Sequence, residues 1–358
     1  YSALFYARER VEVPAGLTVV TTIVKVYLGL VALLLGFGIV GLAAVALVGN
    51  LATALALGLI AHRIGVVGRL AASADEARAM LRPAFPLMLN HMLATLFFRV
   101  DVLLLQPMRG NRELGYYATA YKFVDGLGII PSAFTFALFP QLSRLAAGQP
   151  ERLRRAYVLS LKLLVFVSVP LALLVTALAE PLVGLVGGRD YLPDAAVALR
   201  LLIWFLPLSF ANGLTQYALV AAGQQRAITV AFAVAVAFNV AANLATIPLY
   251  GYRAAAVVTV LSELALAIPF GVVVARAIGL SPLRAIAPFL VAAALGLAAL
   301  LAVEPRLGGA GGLAAGLAAY LLALGALRPL DQDERGQVVQ ALRRLPLAAG
   351  ALRALMVC

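Results

Sequence analysis

Residues 84–139 read AFPLMLNHMLATLFFRVDVLLLQPMRGNRELGYYATAYKFVDGLGIIPSAFTFALF. Two long apolar runs, 84–107 and 115–139, flank a short polar segment. A helix rises about 1.5 Å per residue, so about 20 apolar residues cross the hydrocarbon core of a bilayer. Because backbone amides cannot remain unpaired in lipid, each run is expected to be a helix. This stretch therefore predicts a transmembrane helical hairpin.

Apolar runs of the same kind continue along the rest of the chain. The composition is 63% hydrophobic and 12% charged, with a mean hydropathy of +1.00. Soluble domains have about 45–50% apolar and about 25% charged residues. Eight further spans are predicted, at 14–35, 36–61, 159–184, 198–221, 228–249, 254–277, 285–303 and 310–327. The sequence therefore predicts an all-α polytopic transmembrane bundle of about 10 spans, with no room for a separate soluble domain.

The basic residues predict the orientation of this bundle. Most of the 28 Lys and Arg residues fall on one side of the predicted spans, and that side includes both ends of the chain. The opposite side has only Arg109, Arg112, Arg189, Arg253 and Arg306. The positive-inside rule places the richer side in the cytoplasm, so residues 62–82 and 141–158 are predicted to be cytoplasmic.

Several functional classes are excluded by the residue types present. The one cysteine, Cys358, cannot form an intrachain disulfide, and two histidines with one cysteine cannot build a metal site of the usual spacing. No phosphate-binding loop for ATP occurs, so we expect neither an enzyme nor a cofactor. The net charge of +12 does not indicate nucleic-acid binding, because the basic residues stand at the ends of apolar runs. The chain starts at Tyr1 without a signal pattern, which suggests a fragment.

Four charged residues lie inside the predicted hairpin, where each is costly and needs a reason. Folding the hairpin near residue 111 puts Asp101 opposite Lys122 and Arg99 opposite Asp125. Two ion pairs that fix the register are one interpretation. The other is the charged wall of a water-filled cavity, in which Arg99 would bind a phosphate through two parallel hydrogen bonds.

Polar residues in other spans leave similar alternatives open. Glu263 lies opposite Asn239 in the predicted late hairpin. It is either a protonated acid that is hydrogen-bonded to the Asn239 amide or a site that binds a proton or a cation. Lys25 has no acidic neighbour in its hairpin and is expected to face a cavity. Asn90 and His91 form a polar step that would serve interhelical hydrogen bonding or a proton relay.

A surface helix is predicted in the tail, at residues 331–345. Val338, Val339, Leu342 and Leu345 share one helical stripe, beside several arginines. This pattern predicts a short amphipathic helix on the cytoplasmic membrane surface.

Several motifs resemble those of the multidrug/oligosaccharidyl-lipid/polysaccharide exporter superfamily, and within it the flippases of O-antigen and related oligosaccharides. They are RVDVLLL at 99–105, ELGYYATAYK at 113–122, Ile130-Pro131, LFPQLS at 138–143, the Asn239 to Asn243 segment, IPLYG at 247–251, Ala254 to Ala256, and Ser262-Glu263. The resemblance extends over nearly the whole chain.

The resemblance implies a MATE-like architecture of two six-helix lobes around a central cavity, with the first lobe incomplete. Residues 1–61 would be its last two helices, and 62–83 a cytoplasmic linker. Residues 84–277 would be the complete second lobe, 278–328 two extra helices, and 329–358 a cytoplasmic basic tail. Four N-terminal spans of the family plan would be absent.

The resemblance also implies a function. The protein would move an undecaprenyl-diphosphate-linked oligosaccharide across the bacterial cytoplasmic membrane by alternating access, among membrane lipids and with glycan polymerase or glycosyltransferases as partners. Lys25, Arg99, Lys122, Asn90 and His91 are the candidate substrate-binding residues. Asp101, Asp125, Asn239 and Glu263 are the candidates for ion coupling or ion pairing.

Two other functions remain as alternatives. A cation- or proton-coupled multidrug antiporter of the same superfamily would depend on Glu263 and Asp101 and would not need cavity cations. A membrane polymerase or glycosyltransferase is disfavoured, because its chemistry usually occupies a sizeable aqueous loop and the predicted outer loops are short.

Overall fold

The computed structural model describes residues 1–8, 10, 12–65 and 73–343, and every regular element within them is helical. The helices are α1 (Ser2–Ala7), α2 (Glu12–Leu34), α3 (Gly38–Arg63), α4 (Ala74–Phe97), α5 (Val100–Leu127), α6 (Ile129–Ala146), α7 (Pro150–Ala177), α8 (Ala179–Val186), α9 (Asp194–Leu202), α10 (Leu206–Ala221), α11 (Gln225–Tyr250), α12 (Tyr252–Ile278), α13 (Pro282–Leu327) and α14 (Gln332–Arg343). Short 3₁₀ turns occupy Arg189–Tyr191 and Ile203–Phe205. The chain divides into two compact units, Tyr1–Leu81 and Arg82–Cys358.

Within the described residues, 8 helical segments are long and apolar enough to cross a membrane. Two of them reverse direction at a glycine with positive φ, Gly110 in α5 and Gly308 in α13. Arg99 and Asp125 would lie about 39 Å apart on a straight helix, yet their side chains meet at 3.3 Å. The chain is therefore a multi-pass all-α membrane protein, as predicted. Each reversal divides one segment into two crossings, so the eight segments correspond to the ten predicted spans.

The α13 hairpin depends on glycine. A Cβ at Gly296 would stand 3.0 Å from the carbonyl oxygen of Gly316, and 3.3 Å from Leu173 of α7. Helices in lipid gain little from apolar burial between them, so close backbone approach at small residues supplies the packing contacts. This approach holds both halves of α13 against α7.

Two helices begin with reciprocal capping boxes, in which side chain and backbone bond each other across the first turn. Ser73 and Glu76 form one at α4, and Asp331 and Glu334 form the other at α14. Glu334 also binds Lys162 of α7 at 2.7 Å, in a mostly buried pair.

The predicted tail helix thus exists over Gln332–Arg343. Glu334 joins the first turn of this helix to α7, and the place of the helix along the cytoplasmic membrane surface stays a prediction. The rest of the predicted tail, from residue 344 onward, lies outside the described residues, as do the side chains of Val338, Val339 and Leu342.

Candidate functional site

The site is built around a break between α4 and α5. Arg99 occupies this break with a non-helical backbone (φ −132°, ψ −6°). Its guanidinium binds the Asp125 carboxylate at 3.3 Å and lies 5.2 Å from the centre of the Tyr121 ring. Both partners of the ion pair keep 51% of their side-chain surface exposed. The predicted Arg99–Asp125 pair is confirmed, and Arg99 stays half exposed despite the pairing.

The break leaves backbone carbonyls that must be satisfied by other groups, because lipid supplies no donors. The Tyr121 hydroxyl donates to the Phe98 carbonyl at 3.1 Å, and the Asn239 amide donates to the Phe97 carbonyl at 3.1 Å. Asn243 in turn donates to the Asn239 side-chain oxygen at 2.5 Å. Discontinuous helices of this kind line substrate and ion sites in several transporter folds. Asn239 therefore stabilises the break that positions Arg99.

The predicted ion pair between Asp101 and Lys122 is wrong. Asp101 is only 2% exposed, and its carboxylate accepts hydrogen bonds from the hydroxyls of Tyr117 and Thr259. Lys122 is exposed. The two lie at similar depth, but Lys122 follows Tyr121 and is rotated about 100° from the stripe that faces Asp101. Counting residues from the turn predicted that Asp101 and Lys122 lie at the same depth, but it could not predict which way each side chain points around its helix axis.

Of the two interpretations of Glu263, the one that bonds it to Asn239 is wrong. Glu263 is 1% exposed, and the Asn212 amide of α10 donates to its carboxylate at 2.7 Å and to its backbone carbonyl at 2.8 Å. The other carboxylate oxygen, Oε1, has no hydrogen-bond partner among the described residues. Asn212 thus joins α10 to α12 through its hydrogen bonds to the buried Glu263.

Replacing Asn212 with leucine is expected to destabilise the protein by about 1–3 kcal/mol, because it removes the donor from a buried carboxyl and a buried carbonyl. Glu263→Gln keeps an oxygen that accepts from Asn212 and should have a smaller effect. Gln216→Leu, one turn further along α10, is the matched control. Thermal unfolding in detergent measures all three, and equal melting temperatures for the Asn212 and Gln216 variants would contradict the assignment.

The remaining predicted site residues differ in accessibility. Asn90 is buried, accepts from the Thr229 hydroxyl at 2.5 Å and donates to the Gln225 carbonyl at 3.4 Å, so it joins α4 to α11. His91 beside it is exposed.

Lys25, in the unit Tyr1–Leu81, has a neutral partner. Its ammonium donates to the Asn50 side chain at 2.6 Å. A Cβ at Gly49 would come within 2.6 Å of the Lys25 side chain, so a larger residue there would require the lysine to shift.

The ELGYY motif acts as a scaffold, which sequence reasoning did not anticipate. Glu113 accepts from the Tyr252 backbone amide at 2.9 Å and from Arg109 at 2.8 Å, so it caps α12. A Cβ at Gly115 would lie 3.5 Å from the ring of Tyr191, and the Tyr117 hydroxyl donates to Asp101. The four-residue spacing of Arg109 and Glu113 was the signal in the sequence that could have revealed the contact between these two residues.

The accessible and the buried charges differ in sign. Arg99 and Lys25 are partly exposed and Lys122 is exposed, whereas Asp101 and Glu263 are almost fully buried and bonded to hydroxyl or amide donors. The exposed acid Asp125 is paired with Arg99. The charges that a ligand could reach on these spans are thus mainly cationic.

Comparison with known proteins adds two findings. Residues 2–196 match the model of a family described as polysaccharide biosynthesis protein. Among solved structures, the chain is similar to the lipid II flippase MurJ in an inward closed conformation, with a TM-score of 0.70 and 12% identity over 90% of this chain and 69% of that one. At this identity the likeness shows the fold alone. No curated protein matches the sequence.

Proposed function

The chain belongs to the polysaccharide biosynthesis protein family, and from this premise we propose that it is a flippase for a polyprenyl-diphosphate-linked oligosaccharide. It would work by alternating access in the bacterial cytoplasmic membrane, with an undecaprenyl lipid as carrier and without catalysing a reaction. A fold shared with a lipid flippase supports this proposal. Residues 84–277 would form one complete six-helix lobe, with the α13 hairpin as an additional pair.

The observation that carries the proposal is the sign of the accessible charges. A diphosphate must cross about 30 Å of hydrocarbon while its lipid tail stays in the bilayer. Groups that replace its hydration shell must be cationic and must lie at membrane depth. Arg99 is cationic, lies within the candidate span Met88–Ala146 and keeps its side chain half exposed at the helix break. Lys122 is a further exposed cation in the same unit as Arg99.

An antiporter of cationic compounds is the second candidate, and Glu263 favours it. A buried carboxyl with one unpartnered oxygen is a group that could take up and release a proton or cation. However, Asp101 and Glu263 are enclosed by protein donors, whereas a cationic substrate needs accessible acids. The distribution of charges therefore favours the flippase.

Surface display of glycan in a flippase-deficient strain tests the function. The protein should restore display, and Arg99→Gln should abolish most of it at equal membrane abundance. Arg306→Gln removes the same charge from the α13 turn and should leave display intact. Efflux of a cationic dye by the wild-type protein, without glycan display, would replace the flippase with the antiporter.

Cysteine labelling tests the proposed orientation. In a background with Cys358→Ser, a cysteine at Asn111 should react with a membrane-impermeant maleimide added to whole cells. Cysteines at Ser73 and Gln149 should react only after permeabilisation, because the basic flanks place those residues in the cytoplasm. Labelling of Ser73 from outside would reverse the orientation.

A further inference from the structure

Three tyrosines meet at the end of the second unit where α5 reverses and α11 gives way to α12. The Tyr116 ring contacts Tyr191 and Tyr252 edge to face, with both pairs of ring centres 6.0 Å apart. The three residues come from separate segments, so the fold assembles the group. Tyrosines concentrate where hydrocarbon meets water, at the level of the lipid head groups. We call this group the tyrosine platform.

Two arginines are held on this platform by the same geometry. Arg112 Nε donates to the Tyr116 hydroxyl at 2.6 Å, and the guanidinium carbon lies 5.8 Å from that ring centre. Arg253 Nε donates to the Tyr252 hydroxyl at 3.2 Å, with its carbon 5.7 Å from the ring centre. Each guanidinium is therefore oriented by one nitrogen and keeps its two terminal nitrogens for another partner.

The structure gives these arginines no carboxylate partner among the described residues. The neighbouring acid Asp194 accepts from the Tyr252 hydroxyl at 2.8 Å instead. Arg109 provides the contrast at the same end, because its guanidinium bonds both Glu113 and the Pro248 carbonyl. Arg109 has a structural role, whereas Arg112 and Arg253 are exposed and make no direct ion pair among the described residues; Asp194 lies near Arg253 and reaches it only through the Tyr252 hydroxyl.

We propose that Arg112 and Arg253 form a binding site for the phosphate group of a membrane lipid. Planar guanidinium groups bind phosphate oxygens through paired hydrogen bonds, and a side chain already held by a hydrogen bond loses less conformational entropy on binding. The platform places both cations at the depth of lipid phosphates. The site is separate from Arg99 and does not depend on the proposed transport activity. Its ligand is either an anionic phospholipid or a polyprenyl diphosphate.

Lipid retention by the purified full chain, measured by native mass spectrometry, tests the site. The probes are a polyprenyl diphosphate, phosphatidylglycerol and, as a lipid without phosphate, the free polyprenol. Arg112→Gln and Arg253→Gln should each weaken retention of a phosphate lipid about 5-fold, and the double variant about 30-fold. Binding of polyprenol should not change, and Arg306→Gln should behave as wild type.

The lipid arms identify the source of the phosphate. If the double glutamine variant loses retention of both phosphate lipids, the site binds anionic lipids in general. If it loses retention of the polyprenyl diphosphate alone, the site binds the carrier lipid. Replacing both arginines with lysine should retain part of the binding, because the charge stays while the paired hydrogen bonds are lost. Unchanged retention of both phosphate lipids in the double glutamine variant would overturn the proposal, as would an equal loss of polyprenol.

Discussion

Replacing Gly251 with alanine is expected to destabilise the protein by about 3 kcal/mol or more, through two effects that add. Gly251 has φ 59° and ψ −138°, a conformation that side chains rarely adopt and that costs about 1–3 kcal/mol. A methyl group there would also overlap the Glu113 carboxylate. Displacing Glu113 would remove the hydrogen bond that it accepts from the Tyr252 amide, at a further cost of about 1–3 kcal/mol.

Gly223→Ala separates these two effects. Gly223 also has a positive φ of 73°, but no neighbouring atom lies within 4 Å of the position that its Cβ would take. This variant should show only the backbone strain. Unfolding by SDS titration of purified protein compares the two, and the Gly251 variant should unfold first. Equal stability of both variants would mean that Glu113 adjusts freely and does not hold α12.

Hydropathy and glycine positions made most of the architecture predictable from the sequence. Apolar length alone identifies a span, because lipid requires every backbone amide to be bonded within its own helix. The polar segments around Gly110 and Gly308 predicted two hairpin turns. In the structure these turns are the sharp reversals inside α5 and α13. The register of the first hairpin followed as well, since Arg99 and Asp125 meet as predicted.

The partners of the buried acids could not be predicted in the same way. Counting residues from a turn gives the depth of a side chain but not its direction around the helix axis. Asp101 and Lys122 therefore agree in depth and still face different surroundings. Glu263 is bonded by Asn212, which comes from a helix that is not its hairpin neighbour. Contacts between helices distant in sequence depend on packing angles that no local pattern contains.

The helix break at Arg99 belongs to the same class of feature. The apolar run 84–107 has no glycine or proline near residue 99 that would announce a break. The break exists because Tyr121 and Asn239 supply donors for the Phe98 and Phe97 carbonyls. The backbone conformation at Arg99 thus depends on polar side chains from other parts of the chain, Tyr121 and Asn239.

Exchanging the charges of Arg99 and Asp125 is expected to leave the protein folded and inactive in flipping. If Arg99 only paired with Asp125, combining Arg99→Asp with Asp125→Arg would restore the activity lost in each single variant. In the proposed role, Arg99 presents its guanidinium to the lipid diphosphate from its place against the Tyr121 ring. The swap moves the guanidinium away from that ring and puts a carboxylate where the anion would bind.

Two further variants separate the roles without reversing any charge. Asp125→Asn keeps Arg99 and removes its counter-ion, so flipping should persist if Arg99 binds the substrate and should fail if the pair is needed. Arg99→Lys should lose about 10- to 100-fold of the flipping rate, because a point charge cannot reproduce two parallel hydrogen bonds. Glycan display normalised to membrane protein measures each variant. Rescue by the charge swap, together with loss in Asp125→Asn, would make Arg99 a structural residue and remove it from the substrate path.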